Sequence, residues 1–197
     1  ADCRPFDALG FRHSMFLSFC LRKRSACICL GFHVGKQFSN PSTEDIVFRA
    51  ICVNLKQRRW KLLEQMSLSI TDSLVCRVVG EFWNSPQLAL EFCNWIGKKN
   101  FSYSLESCCA VIHLLVKLRR FDEALAHMGN LMCVRGLAPF DVLEGLINSY
   151  EGDDSSPAVF DALVRTCTQF GATDGAYEVI KKLRMDSFWV TIHAWNN

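Results

Sequence analysis

Small residues recur in register along this chain. Ala89, Ala124 and Ala176 each follow two or three residues of turn-like or acidic sequence and open an apolar helical run, and the first two lie 35 residues apart. A second register of the same length links Ala158-Val159-Phe160-Asp161 to His193-Ala194-Trp195-Asn196. A period of roughly 20–50 residues marks a stack of supersecondary units rather than one globular core. Each unit then lacks a buried face of its own and needs a neighbour on both sides. Shifting the chain by 52 residues superposes Val111 on Leu163, Ile112 on Val164, Leu115 on Cys167, Ala124 on Ala176 and Leu131 on Leu183. The 17 residues beyond 35 are accounted for by one extra helix over 139–150.

Half of the 197 residues are apolar, and Gly and Pro total 16, so most of the chain should fold. No apolar run approaches the length of roughly 18 residues or more that a membrane span needs. The eleven cysteines are odd in number, and Cys52, Cys76, Cys93, Cys133 and Cys167 fall inside helical patterns. They read as reduced small hydrophobes and not as a disulfide framework. Charge is uneven: residues 1–85 hold twelve Lys/Arg against seven Asp/Glu, whereas residues 86–197 hold ten against thirteen. The repetitive half is therefore mildly acidic, which argues against strong nucleic-acid binding by that half alone.

Residues 8–43 contain no acid but carry Arg12, Arg22, Lys23, Arg24 and Lys36 among Phe, Leu, Cys and Ser. That is the chemistry of an organelle transit peptide, with a disordered basic tail as the plainer reading. Met15 opens a better leader than Ala1 does. Helical signals start at Ser42-Thr43-Glu44-Asp45, a hydroxyl cap followed by acids at the positive end of the dipole. The run Ile46, Phe48, Ile51, Cys52, Leu55, Leu62, Leu63 and Met66 keeps helical spacing, with Arg58, Arg59 and Lys61 along it. Further helices are expected over 71–82, from Pro86 to Gly97, over 105–116 and 121–132, over 139–150, and as a pair over 157–170 and 174–185. Nothing alternates as a strand would. The expected architecture is all-α: an α-solenoid of antiparallel helix hairpins behind a disordered basic leader. The divisions are a leader at 1–43, degenerate amino-terminal helices at 44–103, a repeat-like pair at 104–138, an inserted helix and turn at 139–156, a repeat pair at 157–192, and the start of a further repeat at 193–197.

Phe160-Asp161-Ala162-Leu163-Val164, then Phe170-Gly171 and Asp174-Gly175-Ala176-Tyr177, resembles the 35-residue pentatricopeptide repeat. Cys108 to Leu125 is similar, with Lys117, Arg119-Arg120 and Phe121-Asp122-Glu123-Ala124-Leu125 in register, and Trp195-Asn196-Asn197 resembles the opening of another copy. Ala89 to Ile96 is similar to the segment ahead of the first repeats in plant members of the plain class. The resemblance covers roughly 46–197 and implies the amino-terminal part of a longer array that binds single-stranded organellar RNA, about one base per repeat. It implies no enzyme activity, cofactor or small-molecule substrate. It places the protein in the mitochondrion, with the chloroplast as alternative. Carried over from the family, the fifth residues Ala110, Ala162 and Asn197 and the last residue Ile192 would read the base edge, and the following second position Ala194 would help sandwich the base. Alanine and isoleucine have no side-chain hydrogen-bonding group, so the repeat 158–192 departs from the family's polar code and looks like a non-reading cap. The alternative role is a protein-interaction scaffold, including a subunit of an organellar ribosome.

Other candidates carry less. Lys56, Arg58, Arg59 and Lys61 could contact phosphate, with Trp60 free to stack on a base, unless this is a charged helix face with Trp60 packed inward. Gly31-Phe32-His33-Val34-Gly35-Lys36-Gln37 has its glycines one residue too close for a phosphate loop and lacks the Ser/Thr for magnesium. Cys27 and Cys29 have no second ligand pair at zinc spacing, and Cys109 with His113 fits a core pair better than a metal site, so no metal is expected.

Overall fold

The computed structural model describes residues 42–66, 68–149 and 156–186, all within one contact unit. Residues 1–41 of the expected leader, and the candidate positions Ile192, Ala194 and Asn197, lie outside the described residues, while Ser42 and Thr43 already belong to the first helix and its cap. Every element among the described residues is a helix: α1 Thr43–Lys56, α2 Trp60–Gln65, α3 Asp72–Glu81, α4 Pro86–Gly97, α5 Leu105–Lys117, α6 Phe121–Cys133, α7 Pro139–Asn148, α8 Ala158–Gln169 and α9 Thr173–Met185.

Local chemistry sets these limits. Ser42, Thr71 and Ser104 each accept from the backbone N–H three residues on, occupying one otherwise unpaired donor at the starts of α1, α3 and α5. Pro86 and Pro139 stand in the first turn of α4 and α7, where a missing N–H costs nothing. At α7 the Asp141 carboxylate also reaches back to accept from the Ala138 N–H. Three helices end in the same turn. Arg58, Arg119 and Gly171 hold φ of 52°, 59° and 70°. The next N–H in each case, from Arg59, Arg120 and Ala172, donates to the carbonyl five residues back, on Asn54, Leu115 and Cys167, at 2.8, 2.9 and 2.8 Å. This six-to-one bond with a left-handed residue is the Schellman closure. It stops the first helix and throws the chain back antiparallel.

One element differs from expectation. The apolar run from Ile46 to Met66 is not one helix; it breaks at Gln57 to Arg59 into α1 and the short α2. Arg58 therefore sits in a left-handed turn and not on a helix face.

The helices stack in two rows. Odd-numbered helices pack on one another in order: α1 on α3, α3 on α5, α5 on α7 and α7 on α9. They run parallel. Glu44 at the start of α1 meets Ser73 at the start of α3, the long Arg77 side chain reaches back from mid-helix to Glu44 and Asp45, and Lys56 meets Glu81 at the far ends. Asp72 at the start of α3 accepts from the Ser104 N–H and the Ser107 hydroxyl at the start of α5, a contact that spans 35 residues. The sequence period thus reappears as a hydrogen bond between neighbouring units. The other row includes α6 and α8, which also pack directly on each other.

The small residues do what close helix crossings require. Ala89 and Ala124 are wholly buried and Ala176 nearly so. Phe92, Phe160, Ile51, Leu55, Ile112, Met128 and Leu131 are fully buried in the same apolar cluster as these alanines.

Candidate nucleic-acid interface

The four candidate phosphate contacts separate into two kinds. Lys56 is committed, with its Nζ 2.8 Å from Glu81 and over the Phe82 ring. Arg58 leans on Glu91 at 3.5 Å, with its own side chain largely in solvent. Arg59 and Lys61 are exposed and have no ion pair among the described residues. The left-handed turn puts Arg58, Arg59, Lys61 and Leu62 around one shallow depression beside Trp60.

Trp60 is half-buried and packs inward, its ring centroid 6.5 Å from that of Trp95 on α4. Trp95 is stacked in turn on Phe92 and carries the Lys99 ammonium 4.3 Å from its ring centroid. The tryptophan is therefore a bridge between α2 and α4 and presents only part of its ring to a ligand. Lys99 is the residue that sequence reasoning missed. The pair Lys98-Lys99 after Gly97 was visible, but nothing in the spacing joined it to a cluster 40 residues earlier. Arg59, Lys61 and Lys99 then form a cationic corner around two indoles. Cations placed there attract a phosphate backbone, but Trp95 is buried and of the two indoles only part of Trp60 is open to a base.

The carried-over reading positions are placed differently. Ala110 is half-buried on α5, on the line that carries Glu106 and Lys117. Ala162 is 6% exposed. It shares a face of α8 with Thr166 and Phe170, at helical spacing. The Thr166 hydroxyl donates to the Ala162 carbonyl at 2.8 Å and lies 3.7 Å from Met128 Sδ on α6. The Phe170 ring sits directly over Gly129 of α6, where an added Cβ would collide with it. The Ala162 side of α8 is thus a helix–helix contact.

Between α4 and α6, above α5, lies an open cleft of about 490 Å³ lined by Leu90, Asn94, Val111, Leu115, Glu123 and His127. Neither this cleft nor the cationic corner gathers metal ligands; among the described residues no group of three or more His, Cys, Asp or Glu is placed to hold an ion. His113 instead donates from Nε2 to the Leu146 carbonyl at 3.0 Å and so ties α5 to α7. Burial pushes the Cys109 thiol up to about 12, Cys93 to about 12, and Cys76 and Cys167 to about 11, so these sulfurs stay protonated and behave as core. No helix among the described residues is long and apolar enough to cross a membrane.

No family model matches the chain. No solved structure matches it either. Similar proteins are found among the pentatricopeptide repeat-containing proteins of Arabidopsis thaliana. One, named as mitochondrial, is 52% identical over 181 residues, which take in 89% of this chain and 28% of the relative. Two more named as mitochondrial are 29% and 26% identical over 159 and 182 residues, or 79% and 88% of this chain and 30% and 33% of their own lengths. The chain spans about a third or less of these relatives.

Proposed function

The chain belongs to the pentatricopeptide repeat family, and from that premise we propose that it serves organellar RNA metabolism by holding a segment of single-stranded RNA, in the mitochondrion in preference to the chloroplast. The observation that carries this reading is the cationic corner of Arg59, Lys61 and Lys99 around Trp60 and Trp95, on a stack of helix hairpins. Its mechanism is occlusion. A strand laid along the stack is kept from nucleases and from pairing with itself, and no bond in the RNA is broken. Asn197 belongs to the same proposal as a base-reading position, whereas Ile192 and Ala194 offer no hydrogen-bonding side chain to a base edge. Ala110 and Ala162 contribute no base-edge hydrogen bond from their side chains.

One observation favours the scaffold reading for these helices. Lys56 and Arg58 already face carboxylates, which lowers what they offer to phosphate. The charge variants separate the two roles. In the full-length protein, Arg59→Gln with Lys61→Gln should weaken retention of single-stranded RNA and flatten its salt dependence by about 0.7 in log–log slope per lost contact. Lys56→Gln with Arg58→Gln should do clearly less. Equal losses, or none, would favour the scaffold, whose association with a protein complex persists at high salt.

A further inference from the structure

We propose that the edge of the stack where α1 and α5 turn back is a rail for the RNA phosphate backbone, running from Arg59 and Lys61 to Lys117 and Arg119, an inference that rests on the RNA-holding function above. The pentad Lys56-Gln57-Arg58-Arg59-Trp60 returns as Lys117-Leu118-Arg119-Arg120-Phe121, and the two copies share one backbone. Arg58 and Arg119 hold φ of 52° and 59°. Arg59 and Arg120 follow with φ and ψ of −86° and 60°, and of −89° and 62°. The turn after α8 has the same shape, on Gly171 at φ 70° with Ala172 at −83° and 57°, yet Phe170-Gly171-Ala172-Thr173 contains no cation. The turn itself therefore does not require arginine. Glycine enters the left-handed region without the steric cost that a Cβ brings, so each arginine turn holds strain that one substitution would remove. Strain kept in this way points to a use for the side chains.

The packing brings the two turns onto one line. Because α1, α3 and α5 run parallel, the turns that follow them share an edge, and the turn after α3 joins the outer two. Lys56 Nζ lies 5.6 Å from the centroid of the Phe82 ring, and Lys117 Nζ lies 4.5 Å from that of the neighbouring Trp83. Packed helix axes are roughly 8–10 Å apart, so two steps set the outer turns roughly 16–20 Å from each other, within reach of one short strand. Three carboxylates on this edge are engaged: Glu81 by Lys56, Glu91 by Arg58 and Glu123 by Arg120. Asp122 stands in the first turn of α6, at the positive end of its dipole. Arg59, Lys61, Lys117 and Arg119 have no ion pair among the described residues; all but the half-buried Lys117 are exposed. Each arginine turn is followed by a partly open ring, the half-buried Trp60 and the 39% exposed Phe121. Cations in a line with rings beside them track a single strand by its backbone. Contacts of this kind fix the strand in place and read no base.

The strained turn supplies its own test, because Arg119→Gly removes the cation and relaxes the backbone together. In the full-length protein this variant should melt at or above the wild-type temperature, so that a lost contact is not a lost fold. Retention of single-stranded RNA is then followed against salt. Arg119→Gly should flatten the log–log slope by about 0.7, Arg59→Gln with Lys61→Gln by about 1.4, and the three together by about 2.1. Arg119→Lys, which keeps the charge, should hold the wild-type slope. A slope unmoved by Arg119→Gly but flattened by the Arg59 and Lys61 pair would overturn the rail and leave the RNA-holding function standing. A slope that none of these variants moves would remove that function and the rail with it. Vesicles of phosphatidylcholine and phosphatidylglycerol give the last arm: loss of vesicle binding in Arg119→Gly, with RNA retention intact, would make this edge a lipid-facing surface and overturn the rail.

Discussion

Gly171, Arg119 and Arg58 occupy one conformation with unequal ease, because a left-handed backbone costs any residue with a Cβ about 1–2 kcal/mol and glycine almost nothing. Gly171→Ala should therefore lower stability by about 1 kcal/mol in urea unfolding, whereas Arg119→Gly should be neutral or slightly stabilising. Equal effects from the two would contradict the shared turn. Asp72 gives a pH-dependent case. Burial works to raise its pKa, but hydrogen bonds from the Ser104 N–H and the Ser107 hydroxyl outweigh burial and hold it below 3.8. A depressed carboxylate contributes stability that is complete above its unfolded value and is lost as pH falls through the folded value. Asp72→Ala should melt below the wild type at pH 7, and the gap should narrow as pH drops below about 4. A gap that stays constant to pH 2 would show that the α3–α5 bond is not ionic. The thiols order themselves similarly. Among the cysteines of the described residues, Cys133 is exposed and should alkylate first, while Cys93, Cys109 and Cys167 react only on unfolding, as mass spectrometry of iodoacetamide adducts would record.

At the level of elements, much of the architecture was legible because its signals are local. Ser42 with Glu44 and Asp45 announced the start of α1, Pro86 announced the first turn of α4, and apolar spacing gave the buried face of each helix. The break between α1 and α2 was not legible. Its left-handed residue is Arg58 rather than glycine, so the apolar run reads straight through it. The clue was a repeated pentad, Lys56-Gln57-Arg58-Arg59-Trp60 and Lys117-Leu118-Arg119-Arg120-Phe121, whose second copy does sit in a hairpin turn. The site was less legible still. Lys99 joins Trp60 only through Trp95, a contact between helices that no one-dimensional pattern encodes. The alanine register carries its own test. Ala124→Leu or Ala176→Leu would force apart helices that already touch, at about 1–3 kcal/mol each. Ala126→Leu, on the exposed side of α6, should change stability by less than about 0.5 kcal/mol. A chain that tolerated all three alike would not be using those positions as crossings.

For the whole molecule, each helix takes its hydrophobic cover from the next, so the rows extend only as far as successive hairpins can add to them. Periodicity told which face of a helix is apolar but not which neighbour would cover it, and for that reason the packing of α8 on α6 was hidden although the extra helix was plain. The most direct measurement is fluorescence anisotropy of the full-length protein with one organellar transcript segment, offered as a single strand and as its duplex, between low and physiological salt. Retention of the single strand, weakening steeply with salt and absent for the duplex, is the predicted result. Equal binding of both forms, or no binding of either beside a salt-resistant protein complex, would contradict it.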